Sequence, residues 1–203
     1  VSDTDLLKSL NPREVICGYA EILKSSLLDS IHKFKYLDNN LNSIISLKHP
    51  FIEKAILNSC NLKKRIVQKD EDEKNLRKIL NLGHTFAHAY ESCLGFSNKL
   101  NHGEAVIIGI KNALEFSYQN KILKSKSYQI IKNHLKKIPL KKNFKQLFNE
   151  RDINKIISFM KSDKKNNSEK INIILIKDFG KIKTNWQVDK STLRKFLSSE
   201  LKK

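Results

Sequence analysis

The chain carries two histidines in the stretch Asn81-Leu82-Gly83-His84-Thr85-Phe86-Ala87-His88. A helix over 79–93 would place His84 and His88 at positions i and i+4, where both imidazoles project from one face. A third histidine follows in the run His102-Gly103-Glu104-Ala105-Val106. Because imidazoles on one helix face can converge on a single point, the stretch predicts a helical scaffold that can hold a metal ion or a phosphate.

Helical patterns continue on both sides of this stretch. Upstream, Asn11 can cap a helix, Pro12 suits its first position, and Glu14 completes a capping box. The pair His49-Pro50 predicts the end of a second helix. The predicted helices are 12–28, 31–46, 51–68, 79–93, a helix opened by Gly103 that continues through Phe116, 126–137, 143–149 and 152–160.

One late segment has the pattern of strands. The run 171–176 is rich in isoleucine, 178–180 is typical of a turn, and 181–184 predicts a second strand. Asp189 then predicts the cap of a last helix. The sequence therefore predicts a mainly α fold, with one multi-helix domain over residues 1–203 and a small late β-hairpin.

The chain is strongly basic, with a formal charge of +18 in 203 residues. A surface rich in lysine binds polyphosphate by counterion release, so the charge alone admits a nucleic-acid partner. The lysines, however, are spread from Lys8 to Lys203, and asparagine and isoleucine are abundant too. We interpret the charge as a compositional bias and expect no nucleic-acid partner. A basic pocket for a small anionic substrate is compatible with the same charge.

Cysteine use and hydropathy indicate the compartment. The cysteines, Cys17, Cys60 and Cys93, lack the paired spacing of a disulfide framework or of a thiolate zinc site. The sequence has no apolar run near the roughly 18 residues of a membrane span and no signal-peptide pattern. We therefore expect a cytoplasmic protein without a membrane partner. The first residue is Val1 instead of methionine, which suggests a fragment or a processed start.

The surroundings of the histidines strengthen the metal hypothesis. A glycine stands directly before His84 and another directly after His102, so that backbone or a ligand can approach each imidazole closely. The third ligand of an open zinc site would be a carboxylate or another histidine. Glu21, in an otherwise apolar helix, is the candidate carboxylate. Lys24 shares its helix face at i+3, so a surface salt bridge is the alternative interpretation of this glutamate.

Five separated motifs follow one another along the chain. The first is Gly18-Tyr19-Ala20-Glu21 with Lys24, and the second is Lys63 with Asp70-Glu71. The third runs from Arg77 and Asn81 through Gly83-His84-Thr85 to His88. The last two are His102-Gly103-Glu104-Ala105-Val106 and Asp163-Lys164-Lys165. In order and spacing they resemble the C-terminal domain of 3-dehydroquinate synthases. The resemblance covers nearly the whole chain.

The resemblance implies a reaction and its cofactors. This family converts 3-deoxy-D-arabino-heptulosonate 7-phosphate to 3-dehydroquinate and phosphate in the shikimate pathway, using NAD and a divalent metal, usually zinc, with cobalt possible. Its metal ligands match Glu21, His84 and His102. An NAD-binding domain would lie before Val1, so the chain would be the C-terminal half of an α/β plus α enzyme and inactive alone. The full-length enzyme would be a homodimer.

The resemblance also implies which residues surround the substrate. The family uses basic and polar side chains around the substrate's carboxylate, hydroxyls and phosphate, and a histidine for proton transfer or a hydrogen bond. Arginine can bind an anion with two bonds, whereas lysine is a compact charge. The expected catalytic and substrate-binding residues are Lys24, Lys63, Arg77, Asn81 and His88, with Lys164 or Lys165 as a further substrate-binding residue.

One departure and two alternatives accompany this interpretation. Asn75 stands where the family has a glycine, and asparagine is the residue that next best tolerates a left-handed turn. Another sugar-phosphate cyclase of the superfamily would keep the metal ligands and change the substrate residues. A non-catalytic basic binding module would need neither set, and the presence of all three ligands argues against it.

Overall fold

The computed structural model describes residues 3–162 and 170–203. These residues form a mainly helical fold with one two-stranded antiparallel sheet, so the predicted fold class is confirmed. No helix in the described ranges combines the length and apolarity needed to cross a membrane. The elements are α1 (Pro12–Asp29), α2 (Ile31–Asn39), α3 (Leu41–Ile45), α4 (Phe51–Lys69), α5 (His84–Cys93), α6 (His102–Gln119), α7 (Ser125–Lys137), α8 (Phe144–Leu147), α9 (Glu150–Ser162), β1 (Ile171–Asp178), β2 (Lys181–Val188) and α10 (Lys190–Glu200), with 3-10 turns over Thr4–Ser9 and Leu76–Asn81.

Helix α6 lies at the centre of the hydrophobic core. Apart from Lys111, every residue from Gly103 to Ser117 is buried. A helix that is apolar on all sides must be covered on all sides, and α1, α5, α7 and β1 pack around this one. Helices α1, α5 and α6 therefore form one packed unit, and this unit carries the predicted metal ligands.

Glycines set the closest helix contacts in that unit. A Cβ added to Gly103 would lie 2.2 Å from the Cα of Cys17 in α1. A Cβ added to Gly109 would lie 2.2 Å from the carbonyl oxygen of Gly83, just before α5. Gly103 and Gly109 thus allow the backbone of α6 to approach the backbone of α1 and the residue before α5, and these contacts fix where α5 and α6 begin.

Two predicted helices are interrupted. The helix predicted over 79–93 begins only at His84, because Gly83 has a φ of +80° and cannot continue a right-handed helix. The helix predicted over 31–46 divides at Asn40, whose side-chain amide donates to the Tyr36 carbonyl at 2.7 Å and ends α2. The other predicted helices are present with ends shifted by a few residues.

The hairpin is longer than the predicted strands 171–176 and 181–184. Strand β1 pairs with β2 as far as Ile171 opposite Val188. The register shifts where Asn185 adopts a φ of +57°. An extra residue at a bulge bends one strand without ending the ladder, so pairing continues past the asparagine.

A buried polar network joins three of the helices. The His134 side chain in α7 is inaccessible to solvent, with Nδ1 2.8 Å from the Asp38 carboxylate and Nε2 2.6 Å from the Tyr19 hydroxyl. Burial lowers the pKa of His134, although Asp38 opposes this effect. The imidazole is therefore neutral at pH 7, with Nδ1–H donating to Asp38 and the Tyr19 hydroxyl donating to Nε2.

Candidate metal and substrate site

Three metal-ligand side chains from separate segments converge at one point. Glu21 comes from the middle of α1, His84 is the first residue of α5, and His102 is the first residue of α6. One ligand atom from each residue lies within 4.8 Å of the other two. Glu21 Oε1 and His84 Nε2 are 3.8 Å apart. A carboxylate and two imidazoles form the donor set of an open zinc site.

His84 is held in the state that a metal requires. Its side chain is 13% exposed, and its Nδ1 lies 3.3 Å from the Leu82 carbonyl oxygen. Burial, followed by the charge of Lys24, lowers the pKa of His84 to about 4. At pH 7 the ring is therefore neutral. With Nδ1–H donating to the carbonyl, the lone pair is on Nε2, the nitrogen nearer Glu21.

Glu21 is ionised and bonded to two lysines. Its Oε1 accepts a hydrogen bond from Lys24 Nζ at 2.8 Å, and its Oε2 accepts one from Lys63 Nζ at 2.8 Å. Burial raises the pKa of the carboxyl, but the two ammonium groups together lower it to about 2. The donor set therefore contains a carboxylate, as a metal requires.

Lys24 is buried rather than part of a surface salt bridge. The residue is 3% exposed, and its Nζ lies 3.5 Å from His84 Nε2 as well as 2.8 Å from Glu21 Oε1. Burial lowers the pKa of Lys24, while Glu21 opposes that shift. A lysine is rarely buried unless it is paired, and this one lies beside two candidate metal-ligand atoms. The interpretation of Glu21 and Lys24 as a surface salt bridge is therefore wrong.

His102 is oriented by a residue to which the sequence analysis gave no role. Its Nδ1 lies 3.2 and 3.1 Å from the two carboxylate oxygens of Glu91 in α5. The hydrogen bond with Glu91 raises the pKa of His102. His88, on the same face of α5, stacks on His102 with ring centroids 6.0 Å apart. The spacing His88-x-x-Glu91 was the signal available in the sequence, because it puts both side chains on one helix face.

Arg77 and Asn81 lie in the 3-10 turn Leu76–Asn81, which packs against α1 and α4. Arg77 Nη1 donates to the Glu71 carbonyl at 2.6 Å, and Asn81 Nδ2 donates to Glu73 Oε1 at 2.7 Å. Neither residue is hydrogen-bonded to the three metal-ligand side chains among the residues that the structure describes. Asn75, at the position of the family's glycine, does not use the left-handed conformation that asparagine tolerates: its φ is −140°, and the positive φ of +57° is at Glu73.

The predicted site residues thus fall into three groups. Lys24 and Lys63 contact Glu21 directly, and His88 contacts the rings of His84 and His102. Arg77 and Asn81 belong to the 3-10 turn Leu76–Asn81. Lys164 and Lys165 lie outside the described residues.

Comparison with known proteins confirms the family that the sequence motifs resemble. Residues 18–166, which contain every candidate site residue, match the family described as 3-dehydroquinate synthase C-terminal. The chain is 49% identical over its 203 residues to the 3-dehydroquinate synthase of Pelagibacter ubique (strain HTCC1062), of which it covers 55%. It is 37% identical over 180 residues, 89% of the chain, to that of Thermoanaerobacter sp. (strain X514), of which it covers 49%. The chain spans about half the length of these curated relatives.

Solved structures share the fold at lower sequence identity. A 2-deoxy-scyllo-inosose synthase complexed with carbaglucose-6-phosphate, NAD+ and Co2+ has a TM-score of 0.80 and 23% identity, with 98% of this chain and 55% of that one covered. ValA, a 2-epi-5-epi-valiolone synthase from Streptomyces hygroscopicus subsp. jinggangensis 5008 with NAD+ and Zn2+ bound, has a TM-score of 0.81 and 19% identity, with 98% and 54% covered.

The fold is therefore the one found in part of these sugar-phosphate cyclases. Within that class, the match over 18–166 and the 49% identity define the family more narrowly. The chain belongs to the family of 3-dehydroquinate synthase C-terminal domains.

Proposed function

We propose that this chain is the metal- and substrate-binding domain of a 3-dehydroquinate synthase. The whole enzyme would convert 3-deoxy-D-arabino-heptulosonate 7-phosphate to 3-dehydroquinate and phosphate in the shikimate pathway, on the way to chorismate and the aromatic amino acids. The observation that carries this proposal is the convergence of Glu21, His84 and His102 within 4.8 Å in a chain of this family.

The donor set fits a divalent metal ion. Glu21 is ionised and His84 is neutral without any metal, so neither has to lose a proton on binding. Glu91 orients His102, as carboxylates commonly orient metal-bound imidazoles. Zn2+ is the proposed ion and Co2+ an alternative, since both accept nitrogen and oxygen ligands in such sites. When bound, NAD and the metal would supply transient oxidation of a substrate alcohol and polarisation of its hydroxyl.

The chain's own residues bind and orient the anionic substrate. Lys24 and Lys63 both reach the Glu21 carboxylate, so their charges are available to anionic groups held beside it. Arg77 and Asn81 are the proposed contacts from the 3-10 turn Leu76–Asn81, with Arg77 able to bind a carboxylate or phosphate through two bonds. Lys164 or Lys165 is a further proposed substrate contact.

His88 is the proposed proton-transfer residue. It is exposed, and its ring lies 5.3 Å from that of His84, so it faces the space beside the proposed metal without being needed as a ligand. Histidine is the side chain used most often as a general acid or base in enzymes. The protein would thus act mostly by orienting reactive groups.

The proposal extends to the rest of the enzyme. An NAD-binding domain would complete the active site, and the 203 residues assayed alone would give no turnover. Homodimerisation is proposed from the family resemblance. The three cysteines are unpaired, which fits a reducing compartment, and the proposed location is the cytoplasm.

Phosphate release tests this function. The chain, joined to the NAD-binding domain of the enzyme, is assayed with NAD, zinc and 3-deoxy-D-arabino-heptulosonate 7-phosphate. We expect turnover that Glu21→Gln abolishes and that Asp72→Asn, which changes a carboxylate 70% exposed to solvent, leaves intact. Equal activity of the two variants would contradict the proposal. Turnover of a different sugar phosphate, with none of this one, would instead favour another cyclase.

A further inference from the structure

A second set of metal-ligand side chains lies on the other side of His102. His88 and Glu91 stand three residues apart in α5 and share a face, and His102 begins α6 opposite them. One ligand atom from each of the three lies within 4.8 Å of the other two. The Glu91 oxygens are 3.1 and 3.2 Å from His102 Nδ1. Two ligands of one tetrahedral zinc ion are about 3.4 Å apart, given bonds of about 2.1 Å.

The two α5 side chains in this set are not committed to other partners. Within the described residues, the Glu91 carboxylate has His102 as its one hydrogen-bond or ion-pair partner, although the side chain is only 12% exposed. The His88 imidazole has ring contacts but no hydrogen bond in the same part of the chain. Glu21, by contrast, has each oxygen bonded to a lysine. A shielded carboxylate with so little compensating positive charge attracts a cation.

We propose that His88, Glu91 and His102 form a second, outer site for a divalent cation such as Zn2+ or Co2+. Two imidazoles and one carboxylate leave further positions for water, as in open zinc sites. The cation would bind Nδ1 of His102, because this nitrogen faces Glu91.

The outer site competes with the inner set of Glu21, His84 and His102. A neutral imidazole has a single nitrogen lone pair, because its other nitrogen carries the proton. A cation at the outer site therefore withdraws His102 from the inner set. The outer set also offers the more accessible imidazole, since His88 is exposed whereas the His84 side chain of the inner set is 13% exposed. A cation at the outer site would also occupy the His88 imidazole and block its proton transfer. This consequence rests on the role proposed for His88 above.

Titration of the metal-free protein with Co2+ tests the outer site. Visible absorption of bound Co2+ is recorded for the wild type, His88→Ala, His84→Ala and the double variant His84→Ala/His88→Ala. The His84 substitution breaks the inner set and leaves the outer one. Far-UV circular dichroism checks the fold, and Glu21→Gln replaces His84→Ala as the inner-set variant if the latter does not fold.

We expect His84→Ala to keep saturable binding that is weaker than that of the wild type. Removing His88 as well should weaken it by a further factor of about ten or more, because losing a ligand should cost at least as much as losing the hydrogen-bond partner of a ligand. His88→Ala alone should bind Co2+ as tightly as the wild type, because the inner set is intact. Equal affinity of the single His84 variant and the double variant would overturn the outer site. The inner set is judged separately, by the tight binding of the wild type.

Discussion

A methyl group added at Gly103 would disturb the contact that holds α6 against α1. The new Cβ in Gly103→Ala would lie 2.2 Å from the Cα of Cys17 and 2.6 Å from its carbonyl oxygen. Both neighbouring atoms belong to the backbone, so no side-chain rotation can relieve the clash. The start of α6 must move away from α1, and His102 must move away from Glu21 with it.

The expected loss of stability is about 2 kcal/mol. Overpacking a dense core costs typically about 1–3 kcal/mol, and a clash with backbone belongs at the upper end, near about 3 kcal/mol. Alanine stabilises a helix by about 1 kcal/mol relative to glycine, and this higher helix propensity offsets part of the cost of the clash. For a chain of this size, a net loss of about 2 kcal/mol lowers the melting temperature by about 4–8 °C.

Gly18→Ala is the matched control, because Gly18 lies in α1 with no atom within 4 Å of an added Cβ. This variant should be as stable as the wild type or more stable by up to about 1 kcal/mol. Thermal unfolding followed by circular dichroism gives both values, and Co2+ titration gives the affinity of the inner site. The reasoning is refuted if Gly103→Ala has the same melting temperature as Gly18→Ala and binds Co2+ as tightly as the wild type.

Three further variants test the charges. Lys24→Met should raise the pKa of Glu21 above about 2, measured by carboxyl-carbon NMR; an unchanged pKa would mean that Lys24 does not hold the carboxylate ionised. Burial lowers the pKa of His134, so that as the pH falls below about 6.5 the unfolded chain binds a proton before the folded chain does, and stability decreases. His134→Gln should therefore reduce the dependence of the melting temperature on pH in this range. An unchanged dependence would exclude His134 as its source. Arg13→Ala removes two hydrogen bonds to the buried carboxylate of Glu104 and should lower the free energy of unfolding, measured in urea, by about 2 kcal/mol. An unchanged free energy of unfolding would contradict this expectation.

Most of the fold was predictable because local signals agree with the tertiary structure. The capping box at Asn11 and Glu14 starts α1 where predicted. The break before His84 was not predictable from periodicity, since it depends on the contact of Gly83 with the backbone of α6. The division at Asn40 likewise depends on a side-chain hydrogen bond that competes with the helix.

The candidate site was predictable only in part. The spacing of His84 and His88 nominates both as ligands, yet the group that contains Glu21 takes only His84. Glu21 lies far away in sequence, so spacing does not link it to the histidines. Its apolar helix made it a candidate carboxylate, and only the family resemblance favoured a metal ligand over a surface salt bridge. The burial of Lys24 and the pairing of Glu91 with His102 arise from helix packing, which a single sequence does not encode locally.

The zinc content of the purified protein tests the central claim most directly. The protein is purified with zinc, dialysed to remove weakly bound ions and analysed for metal. The wild type and Asp72→Asn should each retain about one zinc ion per chain, and His84→Ala should retain none after dialysis. A wild-type protein without zinc, or a folded His84→Ala variant that keeps its zinc through dialysis, would contradict the assignment of Glu21, His84 and His102 as the metal ligands.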